Sequence, residues 1–441
     1  MIRKGKINMQ RLVLVVGLTW MIIRPYPSQV TVNIVTLTTL IPFIFLLWYN
    51  RLTIPTLIKK NRNLVLAFSI IMISQMISIT YSYIFIGTSI NIRDLFELAR
   101  MPFFLIILIG TLSSMSDDNM YTIEKTFSNA SLFAIGIGFM QLIKFPALQS
   151  VMEALYYQSS RITFIVSRQN RIVSSFMNPN FFGAFFIFFL SWSLINFLTH
   201  YDKQKYKYGF YIILSEVGVI LSTSRTSIIT SLVLTGIVVI LFVLKSKEGL
   251  NIGFSRKTLI VSSVMIVSCF IVLIFLLKDR VPYVENAVDI ITNSKGNFAL
   301  VNSVSLRINI WLSSVADIMK SPILGYGPAK SMRSFVDNNY LFIVFRYGIL
   351  GLLSYLYLYG SILVSLYRGI TRETSMLLKR VRIMLIAILL SFSFMALMME
   401  IFESMQLMSI YFFFYAIHLT GTERRSKNAN NLSNLNIQSK A

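Results

Sequence analysis

Charge is scarce in this chain. Lysine, arginine, aspartate and glutamate supply 13% of its 441 residues, against about 25% in an ordinary soluble domain. Whole stretches, such as Val30 to Tyr49 and Leu259 to Leu277, carry none. Each reaches roughly the 20 residues that a helix needs to cross a bilayer. Backbone amides in hydrocarbon must be satisfied within the chain, so such runs are helices. The polar–apolar alternation of a transmembrane barrel is missing from them. A soluble fold is therefore excluded. Cysteine is nearly absent as well: Cys269 stands alone in an apolar run, which rules out an intramolecular disulfide and disfavours redox chemistry. The two histidines, His200 and His418, lie near predicted cytoplasmic helix ends and form no metal-ligand cluster. The net charge of +23 fits membrane topology and anionic lipid better than nucleic acid.

What is present is a series of apolar segments. Hydropathy predicts about twelve transmembrane helices, near 12–23, 30–49, 64–86, 97–113, 127–145, 180–199, 208–222, 227–244, 258–277, 338–366, 381–399 and 401–420. The expected fold class is thus all-α integral membrane, a single polytopic domain over residues 1–420. Arg3, Lys4 and Lys6 precede the first segment and predict a cytoplasmic N-terminus. Arg24-Pro25-Tyr26-Pro27 follows it instead of a small-residue cleavage site, so it reads as an uncleaved anchor. The alternate loops agree with this orientation, except the one with Asp117-Asp118, and acidic residues count little in this rule. Arg51, Lys59, Lys60 and Arg62, then Lys203, Lys205 and Lys207, then Arg368, Arg372, Lys379 and Arg380 all fall on the predicted inner side. An even number of spans places the C-terminus there too, with residues 421–441 as a disordered cytoplasmic tail rich in Asn and Ser. Two larger external loops are expected, about 146–179 and 278–337, and these have room for a site.

Arginine is depleted from external loops by the positive-inside rule, so arginines kept there need a reason. The first external loop holds Arg161, Arg168 and Arg171, then Asn178-Pro179-Asn180. The turn between the seventh and eighth spans contains Arg225. The second loop has Arg307, Trp311 and Gly325-Tyr326-Gly327-Pro328, and ends in Asp337-Asn338-Asn339-Tyr340 ahead of Arg346. A guanidinium fork makes paired charge-assisted bonds to phosphate. Converging arginines would suit the diphosphate of a polyprenyl carrier and steady the charge that develops as it leaves. Bland explanations stand beside this one. A single external arginine usually snorkels to headgroups, and Asn-Pro-Asn and Gly-Tyr-Gly-Pro also serve as plain turns. Glu216, inside the seventh span, is either a structural ion pair or a proton acceptor that guides the arginines. Glu400 and Glu403, at the outer junction of the last two spans, read as solvated. The stripe from Phe181 to Phe189 reads as packing and lipid contact, with a polyprenyl groove as the other option.

In order, four segments resemble the O-antigen ligase and Wzy-type polysaccharide polymerase superfamily. They are Arg171-Ile-Val-Ser-Ser-Phe-Met-Asn-Pro-Asn180; Ser222-Thr-Ser-Arg225; Arg307-Ile-Asn-Ile-Trp311 with Pro322-Ile-Leu-Gly325-Tyr-Gly327; and Asp337-Asn-Asn-Tyr-Leu341 followed by Tyr347-Gly348-Ile-Leu-Gly351. The resemblance implies a multi-pass glycosyltransferase of the cytoplasmic membrane, acting on undecaprenyl-diphosphate-linked oligosaccharide outside the membrane without metal or nucleotide sugar. By that analogy Arg171, Arg225 and Arg307 hold the diphosphate, and Asp337 stands where ligases carry histidine. An acid there is common in polymerases, which makes Asp337 the candidate to orient or deprotonate the acceptor hydroxyl. Arg161, Arg168, Asn180, Asn338, Asn339, Tyr340, Arg346 and Glu216 complete the expected substrate-binding set. The family pattern often has glycine after the first arginine, where Ser174 and Ser175 stand here. The expected function is polymerisation of lipid-linked repeat units into a capsule or other surface polysaccharide, with a flippase and a chain-length regulator as natural neighbours. The alternatives are a ligase that transfers finished glycan to an acceptor, a lipid-linked glycan transporter or flippase, and a sugar sensor. No internal duplication of the transporter kind is visible.

Overall fold

The computed structural model describes residues 2–27, 32–88, 92–143, 146–156, 165–166, 171–200, 203–246, 299–329, 332–333, 336–372 and 375–438. Among them the regular structure is helical throughout. The chain runs α1 (Ile2–Ile23), α2 (Val32–Thr38), α3 (Leu40–Tyr49), α4 (Ile54–Lys60) and α5 (Arg62–Tyr81), which ends in a π-helical turn, Ser82–Ile86. There follow α6 (Ile92–Leu98), α7 (Arg100–Ser114), α8 (Asp117–Ile143), α9 (Pro146–Tyr156), α10 (Pro179–Thr199), α11 (Gln204–Leu221) and α12 (Arg225–Ser246). The last group is α13 (Ala299–Ile318), α14 (Asn339–Arg372), α15 (Met376–Met395), a 3₁₀ turn at Ile401–Glu403, and α16 (Met405–Gln438). Every expected span falls on a helix except 258–277, which lies outside the described residues. Six described helices are long and apolar enough to cross a membrane, or seven if the α2–α4 region, bent by 103°, counts as one broken span. The protein is therefore a multi-pass helical membrane protein. The α16 helix extends through residues that the sequence reading assigns to the tail.

The middle of the bundle is α10. It packs against α11, α12 and α15, and most of its surface is buried by protein rather than exposed to lipid. Phe182, Phe185, Phe186, Phe188 and Phe189 are all fully buried. Their rings gather around Phe127 of α8, which contacts Phe185, Phe188 and Phe189, and Phe414 of α16 closes the group at 4.9 Å. Edge-to-face contacts at these separations add to simple burial. Packing, not lipid contact, explains the stripe, because a helix that is apolar all round belongs in the centre.

Hydrogen bonds define two ends of the bundle. At one end, Gln406 donates to the carbonyls of Met21 (2.8 Å) and Ser175 (3.3 Å), and Ser175 donates to Ile22 (2.6 Å). These bonds bring together the C-terminus of α1, the loop before α10 and the start of α16. At the other end, Arg380 reaches His200 at 2.7 Å and the Thr199 carbonyl at 3.2 Å. There too Arg382 donates to His418 Nδ1 (2.8 Å) and the Gly369 carbonyl (2.6 Å). Both histidines thus lie at the end opposite the expected site residues.

Candidate functional site

The loop before α10 follows a strained path. Ser174 (φ 49°) and Met177 (φ 57°) occupy the left-handed region, where L-residues pay a steric penalty unless their surroundings hold them. Ser174 is held on both sides: its N–H donates to Gln141 Oε1 (2.8 Å) and its hydroxyl to the Ala134 carbonyl (2.6 Å). Asn178 then caps α10 by accepting the Asn180 N–H at 2.8 Å, with Pro179 at the first helical position. The cap leaves Asn180 Oδ1 facing Arg171, which donates to it at 3.3 Å and to Thr223 Oγ1 at 2.7 Å. Thr223 is itself left-handed (φ 52°), in the turn that separates α11 from α12, and Arg225 is the first residue of α12. The fold thus carries Arg171 to the turn that leads into Arg225.

The second pairing joins α13 to the start of α14. Arg307 Nε lies 3.5 Å from Asp337 Oδ2, and each side chain is about a third exposed, 34% and 35%. Asp337 has φ 55°, and its backbone is fixed from behind. The N–H groups of Val336 and Asp337 both donate to Glu400 Oε1, at 2.6 and 2.8 Å. Burial raises the Glu400 carboxyl above the usual carboxylate range, while the two N–H donors pull it back down. The next three residues act as anchors. Asn338 caps α14 by accepting the N–H groups of Tyr340 and Leu341, both at 3.1 Å. Asn339 accepts from the Phe402 N–H (3.0 Å), and the Tyr340 hydroxyl donates to the Ser393 carbonyl (2.9 Å). These bonds fasten Asp337 to the α15–α16 junction.

Gly325-Tyr326-Gly327 is a close-approach device. Gly325 and Gly327 have φ +67° and +69°, and a Cβ on Gly325 would collide with the Arg346 carbonyl. With hydrogen there instead, Tyr326 N–H reaches the Phe345 carbonyl at 3.0 Å and Gly327 N–H reaches Ser78 Oγ at 3.1 Å. The motif seats the chain after α13 against α5 and α14.

Behind Asp337 lies a buried ion cluster. Arg346 pairs with Glu97 at 3.3 Å and with Glu403 at 3.4 Å, and Arg100 pairs with the same two carboxylates. Arg346 is 2% exposed and stacks on Phe342 at 3.8 Å. Two corrections follow. Arg346 spends its charge inside the protein instead of facing a substrate, and Glu403 is largely buried and paired, not solvated. Glu400 is partly buried too, in service to the Asp337 backbone. Glu97 and Arg100 were missed by sequence reasoning, although opposite charges three residues apart in an apolar run are a visible signal. Glu216 is buried in α11 and makes no ion pair among the described residues. Arg161 and Arg168 lie outside the described residues.

A carboxylate beside a guanidinium, each about a third exposed, can take up a proton while its neighbour attracts an anion. A family model described as O-Antigen ligase matches residues 210–356. The match starts in α11 and ends in α14, so it takes in Arg225, Arg307 and Asp337 and leaves out Arg171. No curated protein matches the chain.

Proposed function

We propose, from the match of residues 210–356 to a family model described as O-Antigen ligase, that the chain is a glycan polymerase fed by lipid-linked repeat units. In this reading it crosses the cytoplasmic membrane twelve times with both termini inside, and the site end of the bundle faces outward. The donor is the growing chain on a polyprenyl diphosphate, of the undecaprenyl type. The acceptor is the non-reducing-end sugar of an incoming unit. The acceptor oxygen bonds to the donor's anomeric carbon as the bond from that carbon to the phosphate oxygen breaks. The electron pair leaves with the diphosphate, and the hydroxyl proton passes to Asp337. Arg307, Arg225 and Arg171 stabilise the departing charge.

The observation that carries this reading is the Arg307–Asp337 pair at 3.5 Å. It sets a proton acceptor next to an anion-binding group, on a backbone clamped by Glu400. The acid at 337, where ligases carry histidine, favours polymerase over ligase. The description of the matching family keeps ligation as the second reading.

The test is a gel of products from purified protein supplied with one lipid-diphosphate-linked repeat unit. A ladder of lengths with release of lipid diphosphate is expected, and Arg307→Ala should abolish it with protein level unchanged. A single transfer that needs a separate acceptor would establish ligation instead. Substrate left intact by well-folded protein would sink both enzyme readings and leave transport.

A further inference from the structure

At the same end of the bundle as the Arg307–Asp337 pair is a cavity of about 530 Å³. This is within the range of small-molecule sites. Its lining includes the polar Arg24, Asn178 and Gln406 and the apolar Leu37, Leu40 and Ile106.

Arg24 is the informative residue. It is 3% exposed, and its contacts are neutral. Its Nε donates to the Tyr26 hydroxyl and its Nη1 to Thr39 Oγ1 at 2.7 Å. Among the described residues no carboxylate pairs with it. The two acids on the cavity wall, Glu97 and Glu403, are already shared between Arg100 and Arg346, and that cluster of two acids and two bases is neutral by itself. A buried cation without a counter-ion is costly, and such groups mark ligand sites. An anion in the cavity would complete the charge balance, and the apolar lining would suit a hydrocarbon chain attached to it.

We propose that this cavity binds the phosphate headgroup of a second lipid-linked molecule, with the first part of its hydrocarbon chain along Leu37, Leu40 and Ile106. Resting on the polymerase reading, that molecule is the acceptor unit. Transfer between two lipid-linked glycans needs two headgroup sites, and the arginines at 171, 225 and 307 account for only one. The chain joins the two places twice. Asn178 lines the cavity while Asn180, two residues on, holds Arg171. Glu400 holds the Asp337 backbone while Glu403, three residues on, lines the cavity. An acceptor headgroup at Arg24 would therefore sit one short segment away from the reacting centre on each side.

The experiment is binding stoichiometry by native mass spectrometry on the full-length protein in detergent, with undecaprenyl diphosphate and inorganic pyrophosphate as separate probes. The wild type should bind two equivalents of the lipid. Arg24→Gln, which removes the charge and keeps a hydrogen-bonding head, should weaken one of them by about 10- to 100-fold, the loss of a charge-assisted bond. Arg307→Ala should weaken the other and leave the Arg24-dependent equivalent in place. Leu40→Trp fills the apolar part of the lining without touching charge, so it should also remove that equivalent. Two equivalents of undiminished affinity in Arg24→Gln would overturn the proposal. So would an Arg24-dependent pyrophosphate signal as strong as the lipid signal and indifferent to Leu40→Trp, which would mark a site for free anion. If Arg24-dependent lipid binding is found while the wild type makes no ladder, the polymerase reading fails and the second lipid site stands.

Discussion

Asp337 is held in a backbone conformation that aspartate adopts at some cost, and its neighbours explain why it stays there. Left-handed φ at a non-glycine residue persists when the surroundings over-determine it. Here Glu400 takes both the Val336 and Asp337 N–H groups, and Asn338 and Asn339 pin the residues just after. Glu400 is thus a positioning residue. Its carboxyl is raised by burial, so its contribution to stability is present below the ordinary carboxylate pKa and is lost as pH rises through the raised value. Glutamine at 400 offers the same carbonyl acceptor without a charge. Glu400→Gln should therefore keep polymer synthesis and unfold at a temperature that varies less with pH than the wild type does between mildly acidic and neutral conditions. Glu400→Ala, which leaves two N–H groups unpaired, should lose most polymer. Equal pH dependence of unfolding in wild type and Glu400→Gln would show that the buried carboxyl is not shifted as described.

At the scale of the element, α14 matters most. Its helix is kinked at Gly348, which has φ 65° and ψ −171°, a region open essentially to glycine alone. A Cβ there would fall on the Ile323 carbonyl. The kink lets the N–H groups of Ile349 and Leu350 turn to the carbonyls of Pro322 (2.9 Å) and Ile323 (3.3 Å). The loop after α13 is thereby bonded into α14. Strain and collision together should make Gly348→Ala less stable by at least about 1–3 kcal/mol, read as a lower unfolding temperature in detergent. Because the same contact anchors the loop that follows α13, Arg307 should shift relative to Asp337 and product length should fall. An unchanged unfolding temperature would mean that the backbone there is free to relax.

For the whole molecule, the Glu97–Arg100–Arg346–Glu403 cluster ties α6 and α7 to α14 and the turn before α16. Removing one member leaves an uncompensated charge in the interior. Arg346→Met should therefore cost about 3–5 kcal/mol, the usual penalty for breaking a buried pair, with loss of folded yield as the readout. A yield equal to wild type would show that water reaches the cluster. The proposed twelve-span topology is open to cysteine labelling in a Cys269→Ser background. A cysteine in place of Lys203 should react only after the membrane is permeabilised, and one in place of Leu306 should react in intact cells. The reverse pattern would invert the molecule and put the Arg307–Asp337 pair on the wrong side for an exported substrate.

The helices were legible in the sequence because lipid leaves the backbone no alternative: a charge-free run of about 20 residues must satisfy its own amides. The candidate site residues were chosen for a related reason. Arginine is depleted outside, so Arg171, Arg225 and Arg307 stood out, and the family pattern supplied their order. Sequence could not say which charged residues face each other, since that depends on helices far apart in the chain. Arg346 looked like a ligand for phosphate, yet packing turned it towards Glu97 and Glu403. Glu403 looked solvated, but the 3₁₀ turn carries it inward. Arg24 stood out in the sequence only as the start of the Arg-Pro-Tyr-Pro stretch after the first segment, and only the tertiary structure leaves it buried, without a carboxylate among the described residues, at the wall of a cavity. Hydropathy determines which segments are helices; the pairing of charges in a low-dielectric interior is decided by how those helices pack.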